Sequence, residues 1–216
     1  MDNCEELLPE HFRFVKGVVD SPDVSLNISR EMLQQDRVVK QMAKTLEKKI
    51  KNELSSMLKK DRESYEKFYS AFGIQLKYGC VADYGMNKGE LQDLLMFYSG
   101  KEKKNITLKE YVDNMKENQK YIYFATGESV DAIDRLPVLE LLKDNDFDIL
   151  YLTDEVDEFC MQSLMAYNEK ELRSVLNDDL GLPEENKEET EEEKSQSEGT
   201  VNFIKETLGE QVSDDV

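Results

Sequence analysis

A chain of 216 residues with 28 Lys+Arg against 47 Asp+Glu carries a formal net charge of -19. That balance excludes a duplex nucleic-acid binder, which needs cations to displace phosphate counterions, and it excludes docking on an anionic membrane surface. No stretch reaches the roughly eighteen consecutive apolar residues of a spanning helix, and Met1-Asp2-Asn3-Cys4-Glu5-Glu6 is neither the basic start nor the apolar run of a signal peptide, so the expected setting is cytoplasmic.

Cysteine chemistry is equally bounded. Cys4, Cys80 and Cys160 are odd in number and none sits in a CxxC, so reduced structural thiols are expected rather than a disulfide framework. His11 is the sole histidine, which leaves no set of ligands at zinc spacing and no ready Ser-His-Asp or Cys-His arrangement.

Residues 1–35 open the chain with a mixture of apolar runs and turn signals. Pro9 sits where a helical turn can start, since its missing N–H costs nothing there. Phe14, Val15, Val18 and Val19 then read as a short strand that stops at Asp20-Ser21-Pro22-Asp23. A strand with no neighbours upstream reads as a truncated strand/loop element, cut from a sheet.

The next segment, about 29 to 72, reads as helix. Val39, Met42, Leu46, Ile50, Leu54 and Met57 recur in steps of three and four, one stripe of an α-helix, and Ser29 is a candidate N-cap. Residues 37–62 carry nine Lys/Arg against three Asp/Glu, a local +6 on a very acidic chain. A solvated helix face and a surface that meets phosphates or an acidic partner both fit this pattern.

From about 74 to 177 helix-like and strand-like runs alternate. Tyr121–Ala125 and Phe147–Leu152 are short, β-rich and bounded by turn residues. Between them Val130, Ile133, Leu136, Leu139 and Leu142 keep a helical spacing. Strand, helix, strand is a βαβ unit with a parallel pair, and Val156, Phe159, Leu164 and Met165 predict a further helix. The fold class is therefore α/β, in α+β layers: a long helical segment followed by a small α-β-α layered subdomain.

Residues 184–198 hold eight Glu and two Lys with nothing apolar, a solvated, self-repelling linker by composition. Val201, Phe203, Ile204, Leu208 and Val212 then resume a short helical pattern. The expected organisation is 1–35, the end of a larger layered unit; 36–73, a helical connector; 74–183, the small α-β-α unit; 184–199, the acidic linker; and 200–216, the first helix of a further domain.

Two patterns mimic binding motifs. Asp144, Asp146, Asp148 and Glu155 occupy positions one, three, five and twelve of a calcium loop, but the sixth position needs Gly and holds Ile149 inside a β-rich run. These acids read as turn residues beside a buried strand. Gly79, Gly85 and Gly89 match no nucleotide-cradling spacing. Met32, Met42, Met57 and Met86 read as core packing.

One constellation carries chemistry. Leu26-Asn27-Ile28-Ser29-Arg30-Glu31-Met32-Leu33-Gln34-Gln35 places Arg30 at a loop–helix junction with Gln34 four residues on, on the same face. An Arg fork can neutralise a transferring phosphoryl group while a Gln amide orients an oxygen or a water. The same spacing also occurs on helices where both side chains simply face water.

Gly17-Val18-Val19-Asp20-Ser21 followed by Leu26 through Gln35 closely resembles the middle domain of the heat-shock protein 90 chaperone family. So do Met1 through Glu10, Phe68-Tyr69-Ser70-Ala71-Phe72-Gly73, Ile122 through Ser129, and Leu150 through Phe159. The blocks stand in family order over residues 1 to about 165, and the acidic linker and last helix fit the approach to the family's C-terminal dimerisation domain. The bacterial type is the nearer match. The resemblance starts part-way into the middle domain, so it implies a fragment without the N-terminal ATP pocket and without most of the dimerisation domain.

The resemblance implies that Arg30 reaches the γ-phosphate of ATP held with Mg2+ by a separate N-terminal domain, and that Gln34 belongs to the same catalytic loop. It implies no cofactor on the isolated chain, which should not turn over ATP alone. The implied partners are unfolded or partly folded client proteins, the protein's own nucleotide domain, and a second copy through the C-terminal domain; nucleic acid and membrane are not expected. A non-catalytic module that docks clients or co-chaperones stays open beside the catalytic reading.

Overall fold

The computed structural model describes residues 7–20, 37–177 and 179–182, without the side chains of Asp83 and Tyr84. Among these residues the architecture is a six-stranded mixed sheet with helices packed on both faces. The expected α/β layering is thus what the chain forms.

The N-terminal element takes the loop form. A 3-10 turn covers Glu10–Phe12 after Pro9, and the strand expected over Phe14–Val19 is absent: residues 15–20 carry no ladder, and Val18 is 97% exposed. Gly17 and the lack of a described neighbouring strand leave that β-rich run nothing to pair with. Phe14 instead docks on the aromatic face of the helix that begins at Arg62, its ring 5.2 Å from Phe68 and 5.0 Å from Phe72.

The long helical segment is divided. Helix α1 spans Arg37–Lys60 and α2 spans Arg62–Gly85. Asp61 causes the break, because its carboxylate accepts from the Ser64 N–H at 3.2 Å and so caps the second helix. The apolar stripe of α1 is realised with Val39 and Leu54 buried and Ile50 and Met57 half-buried against the core. Helix α2 runs past residue 72 through Gly73 and Gly79. A Cβ at Gly79 would lie 2.7 Å from both the His11 ring and Leu91, so the missing side chain lets the N-terminal turn pack on the helix. Gly85, at φ +77, ends it in a left-handed conformation. A short helix, α3, follows at Lys88–Leu91.

The sheet comprises β1 (Met96–Ser99), β2 (Lys104–Thr107), β3 (Ile122–Thr126), β4 (Ile149–Leu152), β5 (Ala166–Tyr167) and β6 (Lys170–Ser174) in the order β2-β1-β4-β3-β6-β5. The predicted parallel pair is present, with Tyr123 opposite Ile149 and Thr126 opposite Leu152. β6 adds to β3 in parallel, and hairpins flank both sides. The β5–β6 turn is Asn168-Glu169, both at positive φ, the geometry that matches strand twist in a two-residue hairpin.

The crossover between β3 and β4 is helical but not one helix. It forms α5 (Val130–Asp134), a 3-10 turn at Pro137–Leu139 and α6 (Glu140–Asp144). Pro137 cannot donate to an earlier carbonyl, so the helix stops and restarts. Between β2 and β3 lies α4 (Leu108–Asp113), opened by a capping box of Thr107 and Glu110. Helix α7 spans Asp157–Leu164.

Two cores line the two faces. One joins Phe97, Ile106, Ile122, Leu150 and Leu152 of the sheet to α1, α2 and α7. The other joins Tyr123, Ala125, Ile149 and Tyr151 to Ile133, Leu139 and Leu142 of the crossover. Tyr111 ties the hairpin unit to the parallel strands: its hydroxyl donates to the Asp148 carbonyl at 2.5 Å and accepts from the Tyr123 N–H at 3.1 Å.

Candidate functional site

Arg30 and Gln34 lie outside the described residues, as do Met32, Cys4, the 184–198 run and the segment 200–216 where a helix was expected. The described chain resumes at the start of α1. On that helix Arg37, Lys40, Lys44, Lys48, Lys51 and Lys59 fall within an arc of roughly 100° at 3.6 residues per turn. Lys51 is bound at 2.6 Å to Glu90 and at 3.6 Å to Glu47. The other five are exposed, and among the described residues no ion pair engages them. Six of the nine cations counted over residues 37–62 thus share one stripe of α1, while Lys49 and Lys60 lie off it and Arg62 begins α2.

The calcium-like run binds its own chain. Lys101 and Lys116 hold Asp146, the latter at 2.5 Å, and lower its carboxyl to about 2. Asp148 accepts from the Ser99 hydroxyl at 2.6 Å and from the Lys101 N–H at 3.1 Å. Burial nonetheless pushes its carboxyl up, because desolvation outweighs those hydrogen bonds. Among the described residues no group of three or more potential metal ligands converges.

A cleft of about 320 Å³ opens between α2 and the β1–β4 side of the sheet. Tyr69, Ile74 and Lys77 of α2 line one wall; Phe97, Asp154 and Asp157 contribute to the other. Lys77 is buried at its base, with its ammonium 2.7 Å from Asp154, 2.5 Å from Asp157 and 5.1 Å from the Phe97 ring centre. Asp157 also accepts the Asp154 N–H at 3.1 Å. Burial raises the Asp157 carboxyl in spite of the Lys77 charge beside it, since removing a carboxylate from water costs more than one neighbour returns. One cation thus sits between two acids, leaving net negative charge. The Lys77–Asp157 pair joins α2 to α7.

Beside this cleft lies an apolar patch. Ile74 and Tyr78, one turn apart on α2, are 45% and 56% exposed, and Phe159 of α7 is 60% exposed. The two helices run side by side in the same direction, as Lys77 meets Asp157 and the Cys80 carbonyl accepts from the Ser163 hydroxyl at 2.8 Å. Phe159 therefore lies level with residues 77–80. Exposed Asp154, Glu155 and Glu158 rim it.

The helix expected from Val156, Phe159, Leu164 and Met165 forms as Asp157–Leu164, but these four do not share its inner face. Val156, Cys160, Met161 and Leu164 are buried, while Met165 is 65% exposed. The inward period runs in fours from Val156, which leaves Phe159 outside. Met86, read as core, is 79% exposed because it lies past the Gly85 break. Lys77, Asp157, Ile74 and Tyr78 were not singled out; a helix apolar on nearly every side gives no periodic signal for which residues face out.

Comparison with known proteins places these features in a family. The family model for the Hsp90 protein matches residues 1–216. Chaperone protein HtpG of Clostridium perfringens is 58% identical over 215 residues, covering 99% of this chain and 34% of the relative. HtpG of Oceanobacillus iheyensis is 56% identical over 214 residues, and that of Bacillus subtilis 53% over 213, with 34% of each relative covered. The chain spans about a third of the length of the curated relatives it matches. With the whole chain matched and the layered fold in place, the chain belongs to the Hsp90 protein family.

Proposed function

We propose that this chain is a middle-domain segment of an ATP-dependent, cytoplasmic molecular chaperone of the stress response. In this reading residues 1–35 end the large middle subdomain, 36–73 connect, 74–183 form the small subdomain, 184–199 link, and 200–216 begin the dimerisation domain. Arg30 contacts the γ-phosphate of ATP–Mg2+ held by the nucleotide domain of the parent protein, and Gln34 orients the same group. A guanidinium suits that role because it stays charged and binds two oxygens at once. Supplying it from a second domain makes hydrolysis depend on domain closure. The α1 stripe adds positive charge next to that loop in sequence.

The observation that carries the chaperone reading is the apolar patch of Ile74, Tyr78 and Phe159. Large side chains held out on two ordered helices suit transient capture of unfolded segments. The acidic rim and the chain's -19 charge favour clients that carry Lys or Arg beside their apolar residues.

Two measurements test the two halves. In the parent protein, Arg30→Ala should lower ATP hydrolysis by at least about 10²-fold with a stability change below about 1 kcal/mol, and Gln34→Ala should be milder. A stability loss with normal turnover would replace the catalytic role by the non-catalytic docking module. For clients, Tyr78→Ser with Phe159→Ser should weaken binding of a fluorescent unfolded basic-apolar peptide while unfolding free energy holds; unchanged affinity removes the patch from the client surface.

A further inference from the structure

The cleft beside the apolar patch has unmet bonding capacity. The β1–β4 ladder pairs only Tyr98 with Tyr151 and Ser99 with Leu150, while β4 runs on to Leu152 against β3. Before Tyr98 no ladder joins β1 to β4, and Phe97 and Thr153 line the cleft that opens there. Tyr69 of α2 lines it too. That residue is only 8% exposed, yet its hydroxyl proton has no acceptor among the described residues. A buried donor without a partner costs free energy that an incoming acceptor restores. Asp154 holds Lys77 through Oδ2 and keeps its side chain 45% exposed. Ile74 belongs to both features, since it lines the cleft and stands out in the patch.

We infer that the cleft is an anchoring subsite for one arginine side chain of a bound segment whose neighbouring apolar side chain rests on Tyr78 and Phe159. The inference rests on the client reading above and adds which side chain the site selects. Two acids face one ammonium at the cleft, so a guest cation brings the cluster to neutrality. Ile74, Phe97 and Tyr98 supply an apolar wall for the guest's methylene stem. The volume of about 320 Å³ is at the low end for ligand pockets, which suits a single side chain. Arginine suits it better than lysine, because a guanidinium sheds water more readily and stacks on rings. The Tyr69 hydroxyl then donates to a backbone carbonyl of the same segment. Ile74 and Tyr78 are separated by about 6 Å along α2, close to the roughly 6.6 Å between same-face residues of an extended segment. The fitting segment therefore carries arginine and a large apolar residue two positions apart.

The test uses the whole chain and fluorescent peptides of a Gly-Ser host that carry phenylalanine and, two positions on, arginine, lysine or glutamine. Anisotropy should rank arginine above lysine above glutamine, with arginine about tenfold tighter than glutamine, the effect of one hydrogen bond to a charged group. Asp154→Asn should cut that ratio below about twofold. Ser70→Tyr, at an exposed position on the cleft wall, should do the same by filling the space while keeping every charge. Glu158→Gln removes the same charge from the rim outside the cleft and should leave the ratio intact. No arginine preference in the parent chain, or a preference lost equally in Glu158→Gln, overturns the subsite. Tyr69→Phe should weaken all three peptides by one common factor, and unchanged affinities overturn the carbonyl contact. Failure of the client reading gives a different pattern. If no peptide binds, millimolar N-acetyl-arginine amide is titrated instead: shifted amide signals of Phe97 and Asp154 keep the subsite without clients, and unshifted ones overturn both. Binding of the glutamine peptide that Tyr78→Ser abolishes, with no arginine preference, keeps the client surface and overturns the subsite alone.

Discussion

Replacing Lys77 by Met is the sharpest test of the physical account. The methionine keeps an unbranched stem beside Phe97 and removes only the ammonium. Lys77 and Asp157 have side-chain exposures of 6% and 3%, so the variant leaves a carboxylate in the interior without its cation. Breaking a buried pair in this way costs about 3–5 kcal/mol, which for a chain of this size lowers Tm by roughly 6–20 °C. The pH dependence has a definite sign. The Asp157 carboxyl is already raised by burial with Lys77 present, and losing the cation raises it further. Folding then favours the protonated acid, so the deficit is full above the folded-state pKa and shrinks as pH falls toward the unfolded value of about 3.9. Urea unfolding followed by circular dichroism at pH 7 and near pH 4.5 measures both. Adding Asp157→Asn, which can still accept from the Asp154 N–H, should recover at least half of the loss at pH 7. A single-variant loss below about 1 kcal/mol at pH 7, or a double variant no more stable than Lys77→Met, would refute the buried-pair argument.

Leu150, fully buried in the central strand β4, should cost about 2–5 kcal/mol as Leu150→Ala, read from the urea midpoint at constant slope. Thr107→Ala removes the hydroxyl that accepts the Glu110 N–H at 3.1 Å and should cost about 1 kcal/mol, with amide exchange rising first in Leu108–Asp113. The Asp146 carboxyl, lowered to about 2 chiefly by Lys101 and then Lys116, stabilises the fold above its unfolded pKa, and that contribution disappears as pH falls through about 2. Lys116→Ala should move its NMR titration midpoint upward, and added salt should shrink the difference.

The layered fold was legible in the sequence where a local pattern and a burial pattern coincide. Tyr121–Ala125 and Phe147–Leu152 are apolar runs too short for helices and separated by a helical period, and a parallel pair follows because that connection cannot be a tight turn. The stripe of α1 was legible for the same reason: Val39, Ile50, Leu54 and Met57 repeat at the helix's own period. The family was legible because several ordered blocks agree at once, which no single spacing achieves. Arg30 and Gln34 stood out by their i, i+4 spacing, which is weak alone, and took a definite role only from that agreement.

Other features depend on neighbours that the linear chain does not announce. Phe14–Val19 has β-rich side chains and forms no strand, because a ladder needs a partner's backbone groups. β6 carries Lys170, Glu171 and Arg173 and still forms one, because β3 supplies that partner on one side. Lys77 and Asp157 stand eighty residues apart, and only the packing of α2 on α7 turns two ordinary charges into a buried pair. That same packing leaves Phe159 facing outward. Periodicity reports which residues share a side of one element; which side is covered, and by what, is settled only when the second element arrives.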